Sequence, residues 1–112
     1  MRLSGIVERH RGRGRELGFP TANLAIPDTA TDIVPGIYAA YVWVGEQRYR
    51  AAVFIEAQIE AHLLDFSADL YSKIITIELH NYLRPSRRFD NVEQLRQAIN
   101  SDINNVKQCL PA

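Results

Sequence analysis

The chain of 112 residues has a single cysteine, Cys109. A lone cysteine excludes an internal disulfide and any metal site built from several cysteines. The chain also lacks an apolar run near the roughly 20 residues that a membrane-spanning helix needs. Its first residues, Met1 to Glu8, contain no apolar stretch long enough for a signal peptide. These absences predict a cytoplasmic domain that stays off the membrane.

A surplus of charge of one sign is also absent, because 13 Lys and Arg balance 13 Asp and Glu. Proteins that coat nucleic acid need a basic surplus to release counterions, so we expect no nucleic-acid partner. Hydrophobic residues make up 46% of the chain, as in an ordinary globular domain. We therefore expect one domain over residues 1–112, a monomer, that binds a small ligand in a barrel or cleft or uses its surface.

The middle of the chain is rich in β-forming residues. Residues 36–44 and 48–55 predict two strands joined by a turn at 45–47, and residues 73–80 alternate with Ile75, Ile77 and Leu79 facing inward. The 36–44 segment has apolar side chains on both faces, which suits the wall of a barrel.

The spacing changes after residue 90. From Val92 to Leu110 the apolar residues recur every three or four positions, as in an amphipathic helix. Asp90, with Glu93 three residues later, predicts its N-cap. The residues thus predict a mainly β barrel over about 1–85 and a C-terminal α-helix over about 91–108.

Turn-forming residues are missing between Tyr49 and Leu64, which contain no Gly, Pro, Asn, Asp or Ser. A single strand of that length would run about 50 Å at about 3.3 Å per residue. A domain of this size has a radius of gyration of only about 13 Å, so the chain must turn near residues 56–58. Either this turn is unusual or the sequence lacks residues between Ile55 and Ile59.

The strongest local signal is a segment near the N-terminus, residues 12–23, in which glycines separate cationic side chains before a Pro-Thr-Ala-Asn run. Backbone N–H groups of a glycine-rich loop can bind phosphate oxygens. The oxygens of Thr21 and Asn23 suit Mg²⁺ held jointly with phosphates. The P-loop pattern is absent, so the alternative for the Gly/Arg part is a flexible basic turn.

This run is similar to a signature of the riboflavin kinase (flavokinase) family, including the kinase module of bifunctional FAD synthetases. Several short motifs in one order are more specific than any one of them, and here they cover nearly the whole chain. The matching segments are residues 17–24 (Leu-Gly-Phe-Pro-Thr-Ala-Asn-Leu), 35–38 (Pro-Gly-Ile-Tyr), 59–66 (Ile-Glu-Ala-His-Leu-Leu-Asp-Phe), 69–71 (Asp-Leu-Tyr), 83–85 (Leu-Arg-Pro) and 88–90 (Arg-Phe-Asp).

The resemblance implies a six-stranded antiparallel Greek-key barrel with a C-terminal α-helix. It also implies transfer of the γ-phosphoryl group of ATP to the 5′-hydroxyl of riboflavin, with Mg²⁺, giving FMN and ADP. Positioning and charge neutralisation are the main needs of phosphoryl transfer, which makes such a loop and metal reasonable.

The resemblance further implies roles for particular residues. Glu60 would be the catalytic base that accepts the hydroxyl proton; its alternative is a solvated strand carboxylate. Thr21 and Asn23 would hold Mg²⁺. The ATP phosphates would be bound by Gly12, Arg13, Gly14, Arg15, Gly18, Pro20, Thr21 and Asn23, and the flavin would be covered by Arg84, Arg88 and Phe89.

His62 lies two residues after Glu60 and therefore shares its face on a strand. We expect a hydrogen-bonded structural histidine, with a catalytic role as the alternative. Three departures from the family pattern stand out. His10 and Ser72 replace residues that are usually glycine, and residues 54–59 contain no Asn, Gly or Pro before Glu60.

Three functions compete at this stage. The first is an active riboflavin kinase. The second is a catalytically impaired flavin- or nucleotide-binding module, or a fragment of a bifunctional FAD synthetase. The third, an RNA-binding module, depends on the Arg-Gly run alone and is opposed by the zero net charge. The length leaves no room for an adenylyltransferase domain, so we do not expect FAD synthesis.

Overall fold

The computed structural model describes residues 2–8, 21–25 and 32–112. Within these ranges the helix α1 (Val92–Cys109) follows a set of strands, which confirms the predicted mainly β fold with a C-terminal helix. The strands are β1 (Arg2–Ile6), β2 (Thr21–Ala25), β3 (Gly36–Val44), β4 (Gln47–Ile55), β5 (Gln58–Leu63) and β6 (Ile74–Arg84).

The six strands pair antiparallel in the order β1-β6-β3-β4-β5-β2. Glu8, just after β1, bridges Asn23 of β2, and its N–H donates to the Asn23 carbonyl at 2.8 Å. This bridge brings the two edge strands together. The six strands therefore form a nearly closed barrel, as predicted.

Both faces of the central strands are buried, because the barrel core lies on one side and α1 packs on the other. Tyr41 of β3 and Val106 of α1 belong to the cluster beneath the helix. Within the described ranges no helix has the length and apolarity to cross a bilayer. The barrel core includes Leu3, Leu24, Val42, Val53, Ile59, Ala61, Ile75 and Ile77.

β4 and β5 are joined by a tight turn at the place where turn-forming residues are missing. Ile55 pairs with Ile59, and the Glu56 N–H donates to the Gln58 carbonyl at 3.0 Å. None of the residues of this turn has a positive φ. The turn therefore uses backbone conformations that any L-residue can adopt, and it needs no glycine. The residues present are sufficient to close this hairpin, and a longer loop before Glu60 is not required.

The N-cap of α1 is Asn91, so the prediction of Asp90 was wrong by one residue. The Asn91 side chain accepts a hydrogen bond from the Gln94 N–H at 2.8 Å, and the Gln94 side chain accepts one from the Asp90 N–H at 3.1 Å. Glu93 instead pairs with Arg96 at 3.0 Å. Two cap patterns overlap in this segment, and spacing alone does not separate them.

Candidate active site

One row of side chains crosses the outer face of the barrel wall from β2 to β6. The strand registers place Asn23 opposite Glu60, Glu60 opposite Phe54, Phe54 opposite Ile37, and Ile37 opposite Arg84. Directly opposed residues in antiparallel strands point to the same side, with Cβ atoms about 5 Å apart. We call this set the outer row. It brings the candidate metal ligand Asn23 and the candidate base Glu60 side by side.

The outer row leads into an open groove of about 660 Å³ between the barrel and α1. Pockets that hold drug-sized ligands have volumes of roughly 300–1,000 Å³, so the groove is large enough for such a ligand. The lining residues, which include the predicted flavin-covering set, are Ile37, Phe54, Glu56, Arg84, Ser86, Arg87, Arg88, Phe89 and Leu95.

Arg84 is fixed at the end of β6 by a carboxylate of the helix. Its Nε and a terminal nitrogen donate to the two oxygens of Asp102 at 2.8 and 2.7 Å, and Asp102 is only 1% exposed. A bidentate pair of this kind restricts the guanidinium to one orientation. Nearby, the Arg87 guanidinium lies 4.9 Å from the centre of the Phe89 ring. The groove therefore has a cationic and aromatic wall.

Glu60 lies on β5 with its side chain 23% exposed, between solvent and the interior. Its Oε1 is 2.8 Å from Nε2 of His62, which is 3% exposed. The His62 ring packs against the Phe54 ring with centroids 4.5 Å apart. This arrangement matches the expected hydrogen-bonded histidine. It also links the candidate base to a residue that lines the groove.

Asn23 is buried, and its amide oxygen is a hard ligand of the kind that Mg²⁺ prefers. No group of three or more His, Cys, Asp or Glu suited to a metal occurs among the residues that the structure describes.

Thr21 opens β2 opposite His62. The remaining candidate phosphate-binding residues lie outside the described ranges; they are Gly12, Arg13, Gly14, Arg15, Gly18 and Pro20.

Several residues of the groove were not predicted from the sequence. Phe54 and Glu56 reach it only because the β4–β5 hairpin turns where it does. The sequence does indicate that Asp102 is unusual, because it lies three residues after Ile99 and four before Val106, on the apolar stripe of the helix. A carboxylate at such a position needs a buried cation.

Among the described residues, ionisation is clearly perturbed at two groups, both outside the outer row. A hydrogen bond from His80 is the main cause that holds the pKa of Glu78 below its usual range, and Arg2, 2.6 Å away, acts in the same direction. Burial raises the pKa of Tyr38, with a smaller contribution from Tyr82.

The riboflavin kinase (flavokinase) family model matches residues 1–110 of the chain. The chain is 34% identical to human riboflavin kinase over 121 aligned positions, which cover 95% of this chain and 78% of the human protein. That alignment is longer than the chain of 112 residues, so the human protein has residues without a counterpart here.

The chain is also 34% identical over 109 residues to the trifunctional protein RibF/MnmA of Mycoplasmoides gallisepticum. This match covers 89% of the chain but only 17% of that protein. The next two curated relatives are bifunctional, and the matches cover 36% and 40% of their lengths.

Two solved structures have the same fold. One, titled a macrolide-efflux protein from Streptococcus pneumoniae, superposes with a TM-score of 0.87 at 29% identity, over 95% of this chain and 38% of that one. The other, riboflavin kinase from Trypanosoma brucei, gives a TM-score of 0.72 at 21% identity, over 96% of this chain and 74% of that one. The second likeness concerns the fold alone.

Proposed function

We propose that this chain, which belongs to the riboflavin kinase family, transfers the γ-phosphoryl group of ATP to the 5′-hydroxyl of riboflavin. The oxygen of that hydroxyl forms the new P–O bond, the bond between the γ-phosphorus and the bridging oxygen breaks, and ADP leaves. The observation that carries the proposal is the position of Glu60 in the outer row, between Asn23 and the groove.

Glu60 is proposed as the base. Its half-buried carboxylate lies next to Phe54, which lines the groove, so a hydroxyl held at that end of the groove would be within its reach. The carboxylate orients the hydroxyl and accepts its proton as the P–O bond forms, then releases it to solvent. Geometry and charge placement dominate such a reaction, because the protein has little covalent chemistry to perform.

The groove is proposed as the flavin site. Phe54 and Phe89 offer ring faces for a planar aromatic ligand, and Arg84 and Arg88 offer donors for its polar atoms. Asp102 holds Arg84 in one orientation, and Nη1 of Arg84 also donates to the Pro85 carbonyl at 3.1 Å, so the guanidinium lines the groove at a fixed position.

The phosphates and the metal are proposed to lie on the other side of Glu60. Asn23 and Thr21 would hold Mg²⁺ with the nucleotide, and residues 12–18 would cover the phosphates with backbone N–H groups. Bound Mg²⁺ would neutralise the charge of the phosphoryl oxygens. We further propose that the protein acts as a cytoplasmic monomer, where ATP is available; size-exclusion chromatography tests the oligomeric state.

The test is FMN formation by the purified chain with riboflavin, ATP and Mg²⁺, followed by chromatography. We expect FMN and ADP in equal amounts with the unaltered chain. The Glu60→Gln variant should lose about 100-fold or more in kcat, since it lacks the base, and should bind riboflavin as before. Glu78→Gln, which removes a carboxylate with the same histidine spacing on β6, is the matched control and should leave kcat unchanged.

A binding module without turnover is the second candidate, favoured by the tight β4–β5 turn next to Glu60 and by the residues of the human protein that have no counterpart here. Tight riboflavin binding without FMN in the same assay would support this candidate and overturn the kinase proposal. Equal kcat of the unaltered chain and Glu60→Gln would leave a kinase but reject Glu60 as its base.

A further inference from the structure

Among the residues that the structure describes, two Glu-x-His pairs lie on strands, and they differ in their surroundings. Glu60 and His62 of β5 are joined by a 2.8 Å contact between Oε1 and Nε2, and Glu78 and His80 of β6 by one of 2.7 Å. His62 is 3% exposed, whereas His80 is 37% exposed. The same local geometry is thus buried at the outer row and solvated elsewhere.

Burial gives the His62 contact a fixed geometry. The imidazole is held from one side by the Phe54 ring, with centroids 4.5 Å apart. A carboxylate that acts as a base must be ionised and then only accepts hydrogen bonds, so the proposed role of Glu60 requires the tautomer in which the His62 Nε2–H donates to Glu60 Oε1 across the 2.8 Å contact. A glutamate has three side-chain torsions, and a donor that cannot move selects among their rotamers.

We infer that His62 is a positioning residue: it orients the Glu60 carboxylate towards the hydroxyl of the acceptor in the groove. This inference depends on the proposed kinase function. Glu60 lies directly opposite Phe54, which lines the groove, whereas His62 lies opposite Ala52, which does not. His62 is therefore not proposed to contact the acceptor. Its contribution is to keep Glu60 in the reactive orientation, and a displacement of about 1 Å at such a group can cost about 100-fold in rate.

The competing explanation is that His62 only fills space next to Phe54. Two variants separate the explanations, because each preserves one property of the imidazole. His62→Phe keeps an aromatic ring against Phe54 but has no hydrogen-bond donor. His62→Gln loses the ring but presents an amide N–H at about the reach of Nε2. Melting temperatures of both variants report whether each one folds.

Positioning predicts that His62→Phe lowers kcat by about 10- to 100-fold, while the KM for riboflavin changes by less than about threefold. His62→Gln should recover most of kcat, even where its melting temperature is the lower of the two. His80→Phe is the matched control and should leave both constants unchanged.

Comparison of the single and double variants adds a measurement that separates positioning from packing. If His62 acts through Glu60, then adding His62→Phe to Glu60→Gln should lower kcat no further, because the orientation of a missing base has no value. Independent, multiplying losses would overturn the inference, as would His62→Phe with unaltered kcat or His62→Gln with no advantage over it. Absence of FMN formation by the unaltered chain would instead overturn the kinase function, and the positioning role with it.

Discussion

At the scale of single residues, two non-glycine positions in the described ranges have left-handed backbone, Asp65 with φ 58° and Ser72 with φ 67°. The Ser72 N–H donates to the Val7 carbonyl at 2.9 Å, so the turn is fixed against β1. The family resemblance places a glycine at this position. Serine here holds a conformation that costs an L-residue about 1–2 kcal/mol.

Ser72→Gly should therefore stabilise the protein. The relief of strain exceeds the added entropy of glycine in the unfolded chain, for a net gain of about 0.5–1 kcal/mol. The melting temperature should rise by about 3 °C or more. Ser101→Gly, at an exposed position within α1, is the control and should lower it. An unchanged or lower melting temperature for Ser72→Gly would contradict this prediction.

The Glu78 carboxylate predicts a pH dependence of stability. Its pKa is held below the unfolded value by His80 and Arg2, so its contribution is present above the unfolded pKa and is lost as pH falls through the folded one. The difference in melting temperature between the unaltered chain and Glu78→Gln should therefore shrink as pH drops below about 4.3. A difference that stays constant from pH 7 to pH 3 would exclude this contribution.

At the scale of elements, the start of β3 and the end of β6 fit closely together. Gly36 has φ 148°, and a Cβ there would lie 2.6 Å from the Tyr82 ring and 2.8 Å from the Arg84 carbonyl oxygen. Gly45, in the β3–β4 turn, has φ 61° but nothing within 4 Å of such a Cβ. The two glycines share a positive φ and differ in the space around them.

Gly36→Ala should cost about 3 kcal/mol, combining backbone strain with a clash, against about 1 kcal/mol for Gly45→Ala. Relief of the clash would move the β6 backbone at Arg84 and displace its side chain in the groove. The KM for riboflavin should therefore rise for Gly36→Ala and stay constant for Gly45→Ala. Urea unfolding and steady-state kinetics measure both effects. Equal losses of stability would contradict the packing described for Gly36.

At the scale of the whole molecule, the sequence predicted the individual strands and the helix better than the sites that form where they pack together. Apolar alternation and helical spacing are local, so β3, β4 and α1 were located to within one or two residues. The β6 strand ran to Arg84, four residues beyond its predicted end at His80, because pairing with β3 extends it. The cap of α1 was displaced by one residue because two cap patterns overlap.

The groove could not be predicted in the same way. It is assembled from β3, β4, the β4–β5 turn, β6, the segment that joins β6 to α1, and α1 itself. The pairing of Arg84 with Asp102 depends on how the helix packs. Asn23, Glu60 and His62 were found through motifs, but that Asn23 and Glu60 are neighbours follows from the β2–β5 register. Their roles stay predictions until activity is measured.

Kinase activity is best measured by following the γ-phosphoryl group itself. The chain is incubated with riboflavin, Mg²⁺ and ATP labelled at the γ-phosphorus, and the label in FMN and in inorganic phosphate is counted. We predict that the label moves into FMN, and that Glu60→Gln reduces this transfer by about 100-fold while riboflavin affinity is retained. Label found only in inorganic phosphate or left in ATP, with riboflavin bound, would contradict the claim.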